Sequence, residues 1–181
     1  MSPAEAARRV RMLGLDVDGV LTDNAIYLGL VNGQRSEFKR FDIQDGLGLG
    51  LLRGGPIEVV WVSGRTSDAT TLRATELRIA ELIQVSDGHK IPPLTALLDK
   101  RGIGWDEVAF VGDDLADVPV LRKVGVPIAV ANAIDEVKAL ATYVTKAEGG
   151  QGAVREAVKW LLTQRGEWEA AMDRYVGKRS S

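Results

Sequence analysis

Residues 14–24, "GLDVDGVLTDN", carry three aspartates, Asp16, Asp18 and Asp23, at the end of the apolar run "RMLGLD" of 11–16. The run reads as a buried strand. A carboxylate held there without a partner is costly, so acids at such a strand end normally serve a cation or a reaction. The rest of the chain supplies the context. "IEVVWVSG" (57–64) and "EVAFVGDD" (107–114) read as further long strands, and "ELIQVS" (81–86) and "VPIAVAN" (126–132) as shorter ones. Helical patterns fill 67–78, 92–101, 115–124, 135–141 and 153–164, the second opening on Pro92-Pro93, which a first helical turn tolerates. Strands alternating with helices predict an α/β fold, a doubly wound, Rossmann-like parallel sheet covered on both faces.

One segment breaks the alternation. "NAIYLGLVNGQRSEFKRF" (24–41) reads as two strands joined at Asn32-Gly33, a strong hairpin signal. Ile26, Leu28, Leu30, Phe38 and Phe41 give it more apolar surface than a lone hairpin should show to water, and isolated hairpins are marginal. It is expected to pack on its own domain or on hairpins of other copies. One domain is expected over 1–181, with a tail, 165–181, that either docks or frays.

Composition narrows the chemistry. The chain has 181 residues, with 23 basic against 25 acidic side chains and no basic stripe, which argues against a nucleic-acid partner. The N-terminus lacks the apolar core of a signal peptide, no run approaches a bilayer span, and a cytoplasmic location is expected. With no cysteine and a single histidine, His89, the chain has no thiol chemistry, no disulfide and no His-rich zinc centre. Any metal must be held by oxygen, which points to a hard cation such as magnesium.

In an open α/β sheet, ligands bind beyond the carboxyl ends of the strands. Those ends carry Asp16 and Asp18, then Ser63-Gly64-Arg65, Lys90 after a short loop, and Asp113-Asp114 with Asp117 one turn on. Together these groups suit phosphoryl transfer. Asp16 and Asp113 can place oxygens about one cation, while Lys90, the Ser63 hydroxyl and backbone amides near Gly64 neutralise a phosphoryl group. One aspartate of the first pair can attack phosphorus, and the other can protonate the leaving alcohol and later activate water. Other readings stand beside these. Asp113, Asp114 or Ser63 can cap the helices that follow, and Asp45, Asp117 and Arg155 can be structural. "GLGLGLL" (46–52) lacks the strand context of a dinucleotide loop.

"DVDGVLTD", "VSGR", Lys90 and "VGDDLADVPVL" resemble, in order, the four motifs of the haloacid dehalogenase superfamily of phosphatases. The hairpin, "DIQDGLGLGLL" and "EGGQGAVREAV" extend the resemblance to the capless branch that acts on 3-deoxy-D-manno-octulosonate 8-phosphate, from about Leu13 to Leu162. The resemblance implies Asp16 as nucleophile and Asp18 as general acid/base. It implies Mg2+ on Asp16, the Asp18 main-chain carbonyl and Asp113, with phosphate held by Ser63, Gly64 and Lys90. It also implies a homotetramer built through the hairpin, in which a neighbouring subunit covers the site. Arg65 is then placed to meet the carboxylate of a sugar acid. Asn24, Gln44 and Ser86 depart from residues common in that branch. Gln44 replaces a basic residue that would help bind such a carboxylate, so another sugar-acid or small-molecule phosphate stays open as substrate. So does a role as accessory subunit of a larger enzyme, such as a phenylphosphate carboxylase. A signalling receiver domain fits less well, because its lysine comes last in the chain.

Overall fold

The computed structural model describes residues 2–180, with side chains through Gly177. Its centre is a six-stranded, all-parallel sheet. The strands are β1 (Met12–Leu15), β4 (Glu58–Ser63), β5 (Glu81–Gln84), β6 (Val108–Gly112), β7 (Val126–Ala129) and β8 (Tyr143–Val144), in the order β5-β4-β1-β6-β7-β8. β1 lies between the two other long strands, with Leu15 opposite both Trp61 and Val111. All four residues of β1 and all five of β6 are buried, as expected of strands covered on both faces. This is the expected doubly wound α/β fold.

The helices are α1 (Pro3–Arg9), α2 (Ile43–Leu52), α3 (Asp68–Glu76), α4 (Ile91–Arg101), α5 (Val118–Leu121), α6 (Asp135–Leu140), α7 (Ala153–Arg165) and α8 (Trp168–Ser180). Three of these, α1, α2 and α8, have no counterpart in the sequence reading. α2 carries Gly46, Gly48 and Gly50, which weaken a helix, yet it is retained by packing against α7. A Cβ at Gly48 would lie 2.7 Å from the Arg155 Cα, so only glycine lets the two helices approach this closely. The tail is helical and docked: α8 packs on α2 and α7, and Ala171 is fully buried. The helix expected over 115–124 is a 3-10 turn, Leu115–Asp117, followed by the single turn of α5. That break turns Asp117 inward. Among the described residues, no helix is long and apolar enough to cross a membrane.

The hairpin leaves the sheet directly after the aspartate loop. β2 (Tyr27–Val31) pairs antiparallel with β3 (Gln34–Phe38) around Asn32 and Gly33, both at positive φ, the geometry that an Asn-Gly turn supplies. A bridge between Thr22 and Phe41 closes its base. Asn24 sits at φ 64°, a left-handed conformation that asparagine tolerates, so this departure from the branch pattern is accommodated. Tyr27, Leu28, Leu30, Val31 and Phe38 remain exposed.

Candidate active site

The carboxyl ends of β1 and β6 and the loop before α4 meet in one buried cluster. Lys90, 3% exposed, donates from Nζ to Asp16 Oδ1 at 2.6 Å and to Asp117 Oδ1 at 2.7 Å. Asp117 Oδ2 in turn accepts from the backbone N–H of Asp113 at 3.0 Å. Oxygens of Asp16, Asp113 and Asp117 all lie within 4.8 Å of one another. Gly19 makes this possible. Its φ of 95° turns the chain out of β1, and a Cβ there would fall 2.0 Å from Asp113 Oδ2.

Three carboxylates and one ammonium carry a net charge of −2 when all are ionised. Burial and that imbalance together act on the acids. Burial, and then the neighbouring Asp117 charge, pushes the Asp16 carboxyl up to about 7 against the pull of Lys90. Burial, followed by Asp16 and Asp117, pushes Asp113 up to about 8. Burial alone would lower the Lys90 ammonium, but the two carboxylates outweigh it and the group is raised well above its ordinary value. Asp113 Oδ1 is buried and has no hydrogen-bond partner. A buried acceptor left without a donor, beside two more carboxylates, fits a divalent cation held by oxygen.

The remaining candidates sit around this cluster. Ser63 is buried, and its hydroxyl accepts from the Arg65 N–H at 3.1 Å and donates to the Arg65 carbonyl at 3.0 Å. It closes a turn and does not cap α3; that cap is Ser67, whose Oγ accepts from Thr70 N–H. α3 begins at Asp68, so the amides near Gly64 belong to this turn and not to a helix start. A Cβ at Gly64 would lie 3.9 Å from Lys90 Cε, which puts this turn beside the lysine. Of the Asp113-Asp114 pair, Asp114 is the cap, accepting from Leu115 N–H, and Asp113 faces the cluster. The Asp45 carboxylate, on the first turn of α2, accepts the Arg155 N–H at 2.8 Å and so caps α7 from outside it.

Two site residues escaped the sequence reading. The side chain of Lys39 is fully buried, and its Nζ donates to Asp18 Oδ1 at 2.6 Å and to Thr70 Oγ1 at 3.3 Å. Glu37 accepts from Ser67 Oγ at 2.8 Å and pairs with Arg65 at 3.0 Å, so Arg65 has a carboxylate partner within its own chain. Burial would raise the Glu37 carboxyl, but the Ser67 hydroxyl, Lys39 and Arg65 hold it below the usual range. Period two puts Glu37 and Lys39 on one face of the hairpin's second arm, either side of Phe38, but nothing in that spacing ties either of them to Asp18.

The fold and this site define a class, and residues 65–157 match the family described as haloacid dehalogenase-like hydrolase. The chain belongs to that family. It is 42% identical over 165 residues to the 3-deoxy-D-manno-octulosonate 8-phosphate phosphatase KdsC of Escherichia coli K12, covering 91% of this chain and 86% of that one. The crystal structure of the phosphatase of that name from Moraxella catarrhalis, in complex with magnesium, phosphate and KDO, matches with a TM-score of 0.87 at 34% identity. The match covers 95% of this chain and 97% of that one. The phosphatase of that name from Yersinia pestis matches with a TM-score of 0.85 at 37% identity, over 92% and 88% of the two chains.

Proposed function

We propose that the chain is a magnesium-dependent phosphomonoester hydrolase that works through an aspartyl-phosphate, and that its substrate is 3-deoxy-D-manno-octulosonate 8-phosphate. The observation that supports the reaction is the buried cluster of Asp16, Asp113, Asp117 and Lys90, with Asp18 two residues from Asp16. The substrate follows from the relatives, which carry that activity in their names across nearly the whole length of the chain.

Asp16, Asp113 and the Asp18 main-chain carbonyl would hold the magnesium ion, which supplies positive charge against the phosphoryl oxygens when bound. Lys90, anchored by Asp117, brings a second positive charge to the same oxygens, and the Gly64 amide offers a donor, joined by the Ser63 hydroxyl once it rotates away from the Arg65 carbonyl. The Asp16 carboxylate attacks phosphorus as the ester P–O bond breaks. Asp18 gives its proton to the departing alcohol oxygen. In the second half, Asp18 takes a proton from water, whose oxygen attacks the aspartyl-phosphate; inorganic phosphate leaves and the Asp16 carboxylate is restored. We read 1–181 as one domain. The exposed apolar side chains of the hairpin support a homotetramer in which another copy covers the site, and a solution mass that stays monomeric at all concentrations would refute this.

The test is phosphate release from octulosonate 8-phosphate and a panel of sugar phosphates, with magnesium and with chelator, beside an Asp16→Asn variant. Magnesium-dependent release from the octulosonate ester, absent in the variant, is the expected result. Release only from other esters overturns the substrate, and no release by folded, magnesium-loaded protein overturns the reaction.

A further inference from the structure

The hairpin does more than expose an apolar surface: it delivers a cation to the catalytic loop. Lys39 directly follows β3, and its side chain is 0% exposed. A buried ammonium is tolerated only with polar partners, and here three elements supply them, two through hydrogen bonds and one through a longer ion pair. Asp18 lies at 2.6 Å on the aspartate loop, Thr70 at 3.3 Å on α3 and Glu37 at 3.7 Å on the hairpin itself. Glu37 is tied down in turn by Ser67 and Arg65. Asp18 keeps 21% of its side chain exposed, and Lys39 takes only its Oδ1.

On the reading of Asp18 as the acid/base, we propose that Lys39 is its positioning residue, fixing the side chain so that Oδ2 meets the ester oxygen. The consequence depends on the leaving group. A sugar alkoxide is a poor leaving group and needs the proton from Asp18, whereas p-nitrophenolate departs without it. kcat/KM covers only the steps up to release of the alcohol, so it isolates this proton transfer from the later attack of water.

The experiment compares kcat/KM for octulosonate 8-phosphate and p-nitrophenyl phosphate in wild type, Lys39→Met, Lys39→Gln and Thr70→Val, each checked for folding by circular dichroism. A misplacement near 1 Å lowers rates about 100-fold, so Lys39→Met is expected to lose about 100-fold on the sugar ester and less than about 3-fold on the aryl ester. Lys39→Gln, which keeps an N–H donor, and Thr70→Val, which removes one acceptor, are expected to show the same selectivity at smaller size. Equal losses on both esters, or no loss on either, overturn the proposal. Wild-type protein inert toward every ester overturns instead the reading on which it rests, before any variant is compared.

Discussion

Gly149→Ala tests how tightly the loop before α7 is seated on the catalytic loop. Gly149 is buried and does not occupy the left-handed region, so alanine meets no backbone penalty there. Its Cβ would, however, fall 1.7 Å from the Gly19 carbonyl oxygen, where real contacts stay above 3.0 Å. The loops must separate by about 1.3 Å, the shortfall between those two distances. Three hydrogen bonds resist that movement: Gly150 N–H to the Val20 carbonyl at 3.0 Å, Gly149 N–H to Asn132 Oδ1 at 2.9 Å, and Arg40 Nη1 to the Gly150 carbonyl at 2.9 Å. Overpacking costs about 1–3 kcal/mol and a lost hydrogen bond about 1 kcal/mol, so with one of the three broken a loss of about 3 kcal/mol in urea unfolding is expected. Gly19 follows Asp18, so kcat/KM should fall about 100-fold as well. Gly177→Ala is the control, since nothing lies within 4 Å of its Cβ and α8 should gain up to about 1 kcal/mol. A Gly149→Ala protein within about 0.5 kcal/mol of wild type and fully active would refute the close approach of the two loops.

Magnesium at about 100 times its Kd should stabilise the folded protein by about 2.7 kcal/mol, read as a rise in Tm, and Asp113→Asn should remove most of that rise. An unchanged wild-type Tm would refute the cation site. Burial raises the Asp45 carboxyl from its ordinary 3.8 to about 6. The folded form therefore holds the proton more tightly, and the contribution of Asp45 to stability is full below pH 4 and lost as pH rises through 6. From pH 4 to 7 the stability difference should move toward an Asp45→Asn variant by about 2 kcal/mol, and a flat difference across urea titrations would sink this account. A Cβ at Gly33 meets no atom within 4 Å, so the loss in Gly33→Ala is backbone strain at φ 78° alone, about 1–2 kcal/mol; a larger loss would show that the turn is packed.

The long strands were legible because β1, β4 and β6 are continuous apolar runs ending in acids, serine or glycine, which is what burial on both faces demands. Asp16, Ser63, Lys90 and Asp113 converge because strand ends of a parallel sheet must. α2 was not legible: its glycines argue against a helix locally, and only the contact with α7 explains them. From sequence Asp117 can be purely structural; the 3-10 turn gives it two tasks, closing the turn's capping box through Oδ2 and holding Lys90 through Oδ1. Lys39 was invisible because no spacing relates it to Asp18, 21 residues earlier; the fold of the hairpin alone brings them together.

The position of β1 also bears on how the chain is made. It is synthesised well before β6, yet it lies between β4 and β6, and its second partner is completed only at Gly112. At about 5–20 residues per second, the roughly 95 residues between them take about 5–20 s to emerge. Throughout that interval "MLGL" presents an open, wholly apolar strand edge, the kind of surface on which nascent chains associate. Truncations that stop short of β6 should therefore aggregate, however well the rest of their sheet has formed.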